Sequence, residues 1–163
     1  MEKSKEIRPL AGCEIEEALG LIWDVFSEYQ APDCTEEGVD AFWSRIDYEY
    51  LLQRAGDGEV RFWGAFDDGR MVGVCMLREP GLVELLYVDG EYQGQGVGKN
   101  LLKKAVLDAK VQDPLLQSIT VNAPDGTEDF FRAQGFIPVG EPYESGGLTY
   151  IPMAVKSKEA QHG

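Results

Sequence analysis

Between Gln93 and Asn100 the chain reads QGQGVGKN, with glycine at every second position from Gly94 to Gly98 and a cation directly behind, at Lys99. A glycine-rich turn that leads into a helix is suited to binding phosphate. Glycine lets backbone approach an anion closely, and the helix N-terminus offers free N–H groups and positive partial charge. Two common phosphate motifs fail here on spacing. A dinucleotide fingerprint needs G-x-G-x-x-G, and Lys99 stands where its third glycine belongs. A P-loop needs G-x-x-x-x-G-K-[ST]; Gln93 replaces its first glycine and Asn100 its magnesium-binding hydroxyl.

Upstream, Glu84 interrupts the apolar run Leu82, Val83, Leu85, Leu86. On a regular strand its side chain shares a face with Leu86 and Val88. A carboxylate placed there is either a general base or a structural acid, exposed or paired with an arginine. Other chemistries lack their parts. The single histidine, His162, sits in the tail, so a Ser-His-Asp triad has no base nearby. The cysteines Cys13, Cys34 and Cys75 are odd in number and far apart, which predicts reduced thiols and no zinc site of usual type; Cys75 reads as a small buried hydrophobe.

A net charge of −14 argues against nucleic acid as a partner, because phosphate binding needs a basic footprint. The same charge fits a cationic or amine-bearing substrate, or solubility alone. With 44% apolar and 27% charged residues in 163, the composition is that of one soluble globular domain. No stretch has the length of a membrane span and the N-terminus has no apolar signal region, so the expected location is cytoplasmic, with no membrane partner.

The elements that must position these residues follow from periodicity. Glu6 to Leu10 predicts a short strand, placed at a sheet edge by Pro9. Apolar residues at Ile15, Ala18, Leu19, Ile22, Trp23, Phe26 and Tyr29 predict a helix over 13–30, ended by Pro32. Thr35 is a plausible N-cap for a second helix, with Glu36 and Glu37 in its first turn and Val39, Phe42, Trp43, Ile46 and Tyr50 on one side. Strands follow over 60–66, 71–78 and 82–88, the first two joined by an Asp68-Gly69 hairpin turn. The glycine stretch then opens a helix with Leu101, Leu102, Ala105, Val106 and Ala109 on one face, broken by Asp113-Pro114. A strand over 117–121, a helix over 124–134 stopped by Gly135, and strands over 136–140 and 148–155 around the turn GEPYESGG complete the domain at 1–155; residues 156–163 read as a frayed tail. The fold class is α/β. A mixed, mostly antiparallel sheet carries helices on both faces, and the fourth and fifth strands form its one parallel pair across the glycine-led helix.

Gln93-Gly94-Gln95-Gly96-Val97-Gly98 matches Q/R-x-x-G-x-G/A and resembles the pyrophosphate motif of the GNAT acyltransferases, N-acetyltransferases that use acetyl-CoA. LVELLYVDGEYQGQGVGKNLL is similar to that superfamily's fourth strand, motif loop and third helix, and ITVNAPDGTEDFFRAQGF to its fifth strand and fourth helix with a closing Gly-Phe at Gly135-Phe136. FSEYQAPDCTEEGVDAF and GGLTYIPM resemble a bacterial subgroup of mostly undetermined substrate.

The resemblance implies a site. Gln93, Gly94, Gln95, Gly96, Val97 and Gly98 would bind the CoA pyrophosphate, with Lys99 and Asn100 close to it. Backbone groups of Tyr87 and Val88 would pair with the pantetheine arm, and an N–H near Val88 would face the thioester carbonyl. Asn122 would line the splayed end of the fifth strand, and Phe131 would pack beside the CoA thiol. A bulge in the fourth strand is common in the family but is not visible in the sequence. Glu84 would be the base. The family's usual acid is a tyrosine at the position of Phe131, which has no proton to give; Tyr143 or Tyr150 could substitute or serve as packing residues. The acceptor pocket would lie among the first two helices, where Glu28, Asp33, Glu36 and Glu37 accompany Trp23, Phe26, Tyr29 and Trp43; most of these also read as core stripes, caps and solvated faces.

The implied reaction moves an acetyl group from acetyl-CoA, the cosubstrate, to a primary amine of a small molecule or a protein, with a small cationic acceptor favoured by the acidic surface. Another acyl-CoA donor, or a module that senses acyl-CoA without transfer, are the alternatives. No metal is implied, and the resemblance allows a homodimer. At pH 7, deprotonating a lysine-like amine costs roughly 4–5 kcal/mol and an α-amino group about 1–1.5 kcal/mol, which is the burden a base relieves.

Overall fold

The computed structural model describes residues 5–156. Asp68 and Gly69 both take positive φ, 53° and 86°, the conformation a tight hairpin turn needs, and they join β2 (Val60–Asp67) to β3 (Arg70–Arg78). β1 (Glu6–Pro9) pairs with the outer side of β2, which leaves Pro9 on a sheet edge where its missing N–H is tolerated. β4 (Leu82–Val88) follows β3 antiparallel, and helix α4 (Val97–Gln112) crosses over to β5 (Ser118–Pro124), which lies parallel to β4. β8 (Leu148–Lys156) pairs with β5 and carries β6 (Ile137–Pro138) and β7 (Tyr143–Ser145) along its other edge. The strand order is β1-β2-β3-β4-β5-β8-β6. The expected α/β class and the single parallel pair are both present.

Each sheet face is covered by a helical layer with its own core. On one face Val97, Leu101, Leu102, Ala105 and Ala109 of α4, with Phe131 of α5 (Glu128–Ala133), pack onto Trp63, Cys75 and Val83. On the other, Ile15, Ala18, Leu19, Ile22 and Phe26 of α1 (Ile15–Tyr29) pack onto Val74, Met76 and Leu85. The α1 residues recur at helical spacing, so one stripe is buried and the rest solvated. Being covered on both sides, β3 is buried at every position from Met71 to Leu77, and its sequence reads as a continuous apolar run.

Five local expectations are corrected. The second helix is two, α2 (Glu36–Arg45) and α3 (Tyr48–Gly56). Thr35 caps α2 as expected, its hydroxyl accepting from Gly38 N, but Asp47 starts a new cap by accepting from Tyr50 N, and the helix breaks there. The turn GEPYESGG contains a strand, β7, hairpinned to β8 through Gly146 and Gly147. The penultimate strand shortens to Ile137–Pro138, and the expected helix over 124–134 to Glu128–Ala133, because β5 continues through Pro124. Of the expected tail, Lys156 ends β8; the remainder, with His162, lies outside the described residues.

Candidate active site

β4 and β5 keep register only at Leu82↔Thr120 and Val83↔Val121. Past Val83 they diverge, and the β5-facing edge of β4 has no ladder partner. The cause is visible one strand away: Met76 pairs with Leu85 and Leu77 with Val83, so Glu84 is an extra residue in β4, a bulge. A bulge bends its strand and raises the local twist, which opens a gap on the far side. The result is one cleft of about 880 Å³, running from the glycine loop, between β4 and β5, to α1, α2 and the β7–β8 hairpin.

At one end the turn residues Gly94 and Gly96 take φ of 80° and 83°, and Gly96 is the N-cap of α4. No L side chain adopts this conformation readily, which is one reason for the glycines. The first intrahelical bond is Asn100 N to Gly96 O at 3.0 Å, so the N–H groups of Val97, Gly98 and Lys99 precede the helical ladder. The α4 first turn contains no acid. Gln93 Nε2 donates to Val88 O at 3.0 Å and Gln95 Nε2 to Glu91 O at 3.1 Å, tying the loop to the end of β4. This end can hold an anion by backbone donors, helix dipole and the Lys99 ammonium.

Of the residues singled out in the sequence, Glu84, Tyr87, Val88, Gln93, Gly94, Gly96, Val97, Gly98, Lys99, Asn122 and Phe131 all line this cleft. Gln95 in the loop and Asn100 in the first turn of α4 do not line it. Phe131 is buried, edge-on to Phe130 and Phe136 at 5.0 and 5.6 Å. Tyr143 and Tyr150 line the opposite end and stack on each other at 5.7 Å. Burial raises the Tyr150 phenol above its ordinary pKa, so it stays protonated at neutral pH.

Glu84 does not lie where regular alternation puts it. The bulge turns it toward α2, on the side where Leu85 and Tyr87 pack, while Leu86 and Val88 face the α4 layer. There Arg78 Nε donates to Glu84 Oε2 at 2.6 Å, and Arg45 Nη2 lies 3.4 Å from Oε1. The charge pair raises the already high Arg78 pKa further. Tyr87 also points this way, its hydroxyl donating to Gln30 Oε1 at 2.5 Å, and its burial pushes the phenol pKa up.

The acidic cluster is elsewhere. Glu28, Asp33, Glu36 and Glu37 are exposed and none lines the cleft. Trp23 and Trp43 pack edge to face at 4.7 Å outside it, and Phe26 stacks on Phe42 at 3.8 Å in the core. Of the expected aromatics only Tyr29 reaches the cleft, joined by Phe42 and by Arg45. Arg45 was missed because its role depends on where α2 ends, and only the Asp47 cap, read as such, could have signalled that.

The fold has many relatives of known structure. A GCN5-related N-acetyltransferase from Rhodopseudomonas palustris is 23% identical, with 96% of this chain and 98% of that one aligned at a TM-score of 0.77. The PaiA N-acetyltransferase of Thermoplasma acidophilum, solved in complex with coenzyme A, is 22% identical over 94% and 99% of the two chains, again at 0.77. A ribosomal-protein-alanine N-acetyltransferase from Brucella melitensis is 20% identical over 93% and 99%, at 0.69. No curated protein matches the chain. The family match, to the acetyltransferase (GNAT) domain, covers residues 30–157 and so takes in the bulged strand, the glycine loop and the diverging strands β4 and β5. The splayed strands and the helix that opens between them are therefore those of an acetyltransferase fold, and the chain belongs to the GNAT family.

Proposed function

We propose that the protein transfers an acetyl group from acetyl-CoA to a primary amine by direct attack on the thioester. The observation that carries this reading is the continuity of the cleft: an anion-binding loop at one end, an unpaired strand edge in the middle and a separate aromatic chamber at the other. Such a cleft fits a long donor with a phosphate-rich head and an acyl tip, and admits a second substrate from the far side. A structural relative solved with coenzyme A supports the choice of donor. Relatives named for a ribosomal-protein alanine and for spermidine support an amine acceptor.

In this reading the loop from Gln93 to Gly98 and the first turn of α4 hold the pyrophosphate, with Lys99 adding charge. The free edge of β4 at Tyr87 and Val88 hydrogen-bonds the pantetheine arm as an added strand. A backbone N–H there faces the thioester oxygen, where negative charge develops. Glu84 accepts the amine's proton. Tyr150, a phenol and so protonated at neutral pH, stands in for the tyrosine that Phe131 replaces and returns a proton to the thiolate, already a fair leaving group with a reference pKa of about 8.5. Asn122 and Phe131 line the donor side. The protein works as a cytosolic enzyme; no described helix is long and apolar enough to cross a membrane.

The test is release of free CoA thiol from acetyl-CoA by purified protein, with pooled amino acids, polyamines, aminoglycosides and lysine peptides. Release above the acceptor-free background is expected. Acetyl-CoA binding without release from any pool would sink the transfer reading and favour an acyl-CoA sensor, for which the missing tyrosine and the arginine-held Glu84 are the relevant observations.

A further inference from the structure

We infer that the acceptor is an amino acid with an apolar side chain, and that Arg45 recognises its carboxylate; this rests on the amine-acetylation reading above. Four charged side chains line the cleft: Lys99 at the donor loop, Arg45 and Glu84 at the acceptor end, and Asp125 on the turn after β5, where its N–H bonds Thr149 O at 2.8 Å. Glu84 is already committed. Its side chain is 16% exposed and bonded at 2.6 Å to Arg78, which stands behind it and does not line the cleft. Arg45 is the opposite case: 51% exposed, at the last position of α2, and only 3.4 Å from the remaining oxygen of Glu84. Two guanidiniums around one carboxylate leave one positive charge, and the one facing the cleft is Arg45.

This local balance reverses the expectation drawn from the net charge of −14. The acids expected to attract a polyamine, Glu28, Asp33, Glu36 and Glu37, lie outside the cleft, and Asp125 is the one exposed acid that lines it. A second ammonium placed beside Arg45 would meet like charge, whereas a carboxylate would meet a planar donor fork with most of its N–H groups unused. The Phe42 ring lies 5.9 Å from the guanidinium, Tyr150 feels its charge, and Tyr143 stacks on Tyr150, walls that suit an apolar side chain.

The arrangement also couples binding to chemistry. A substrate carboxylate that takes Arg45 releases Glu84 Oε1, while Oε2 stays on Arg78. The ammonium of the same substrate then gives a proton to Oε1. The freed nitrogen lone pair forms the C–N bond at the thioester carbon, and the C–S bond breaks with its electron pair on sulfur. Tyr150 gives its proton to the thiolate and takes up the second nitrogen proton in its place, and the proton on Glu84 returns to solvent. An α-amino group suits this step because its reference pKa lies near 8, against about 10.4 for a lysine-like amine, so far more of it is neutral at pH 7.

The test separates recognition from transfer. Protein saturated with CoA is titrated calorimetrically with N-acetyl-leucine and N-acetylphenylalanine and with their amides. The acids are expected to bind at least tenfold more tightly than the amides, the preference to fall to about one in Arg45→Met, and part of it to return in Arg45→Lys. Equal affinity for acid and amide, no measurable binding of either acid, or a preference that survives Arg45→Met would overturn the inference. Thiol release from acetyl-CoA is measured in parallel with leucine, phenylalanine, their amides and spermidine. A carboxylate preference in binding without thiol release would leave the recognition standing and sink the transfer reading. Thiol release with spermidine or the amides at least as fast as with the amino acids would do the reverse.

Discussion

Arg78 Nε donates to Glu84 Oε2 at 2.6 Å, and it does so at the one residue of β4 that the ladder with β3 skips. The bulge that opens the cleft is thus the same feature that aims a carboxylate at the acceptor chamber. If Glu84 takes the amine's proton, Glu84→Gln lowers kcat/KM roughly hundredfold at pH 7. The loss shrinks as pH rises past the acceptor's own pKa, about 8 for an α-amino group, because a neutral amine needs no base. Steady-state profiles between pH 6 and about pH 10 check this. A loss that is the same at every pH would assign Glu84 to cleft geometry instead.

Gly98 separates stability from donor binding. It lies inside α4, and a methyl group there would meet Phe130 and Val88 only at ordinary contact, 3.6 Å. Gly98→Ala is therefore expected to leave the fold as stable or to raise stability by about 0.5–1 kcal/mol, the usual helix gain over glycine. Yet the methyl occupies the space a pyrophosphate needs beside the first-turn N–H groups, so acetyl-CoA affinity should fall at least tenfold. Urea unfolding and donor titration read the two effects separately. Unchanged affinity would mean the donor does not lie against this turn.

Much of this architecture was legible in the sequence, and the misses share a cause. The stripe from Ile15 to Phe26, the Asp68-Gly69 turn and the glycine loop are local patterns whose physics acts over a few residues, and each folds as read. Strict alternation predicts one direction for Glu84, but a bulge is set by how β4 must twist against β3, which no window on β4 records. Proximity in sequence predicts an acidic acceptor rim. Glu36 and Glu37 are instead first-turn acids of α2, favoured there by the helix dipole, and point to solvent. The α2–α3 break was hidden because the apolar spacing runs through Ile46, and the cap at Asp47 competes with it successfully.

The N-terminal edge carries the clearest pH dependence. Arg8 binds Glu14 in a fork, with contacts of 2.9 and 2.8 Å, and Ala11 N donates to the same carboxylate at 2.8 Å. These bonds favour the charged form, and the Glu14 pKa falls from its ordinary 4.5 to about 2. A depressed carboxylate contributes stability above its unfolded value and loses it as pH falls toward the folded one. The Tm deficit of Glu14→Gln should therefore be constant from neutral pH down to about 5, shrink below the ordinary value and approach zero near pH 2. Thermal melts of both proteins across this range decide it; a deficit that persists unchanged at pH 3 would mean the fork acts by packing and not by charge.

Gly38 holds the acceptor end closed by having no side chain. A Cβ there would collide with the carbonyl oxygen of Gly146 and come within 2.8 Å of Gly146 Cα. The same carbonyl accepts from Thr35 N at 3.0 Å, so the tip of the β7–β8 hairpin is locked backbone to backbone onto the start of α2. Gly146 and Gly147, with φ of 62° and 89°, make the turn that permits this approach. Tyr143, Ser145 and Tyr150 of this hairpin form the wall opposite Arg45 and Phe42, so the contact at Gly38 sets the width of the chamber. Gly38→Ala must push the hairpin away from α2, and overpacking of this kind costs about 1–3 kcal/mol. The donor loop is built on other elements, so the KM for the acceptor should rise by a larger factor than the KM for acetyl-CoA. An equal rise in both would mean that the hairpin braces the whole cleft, and an unchanged urea midpoint would mean that the backbone contact yields without cost.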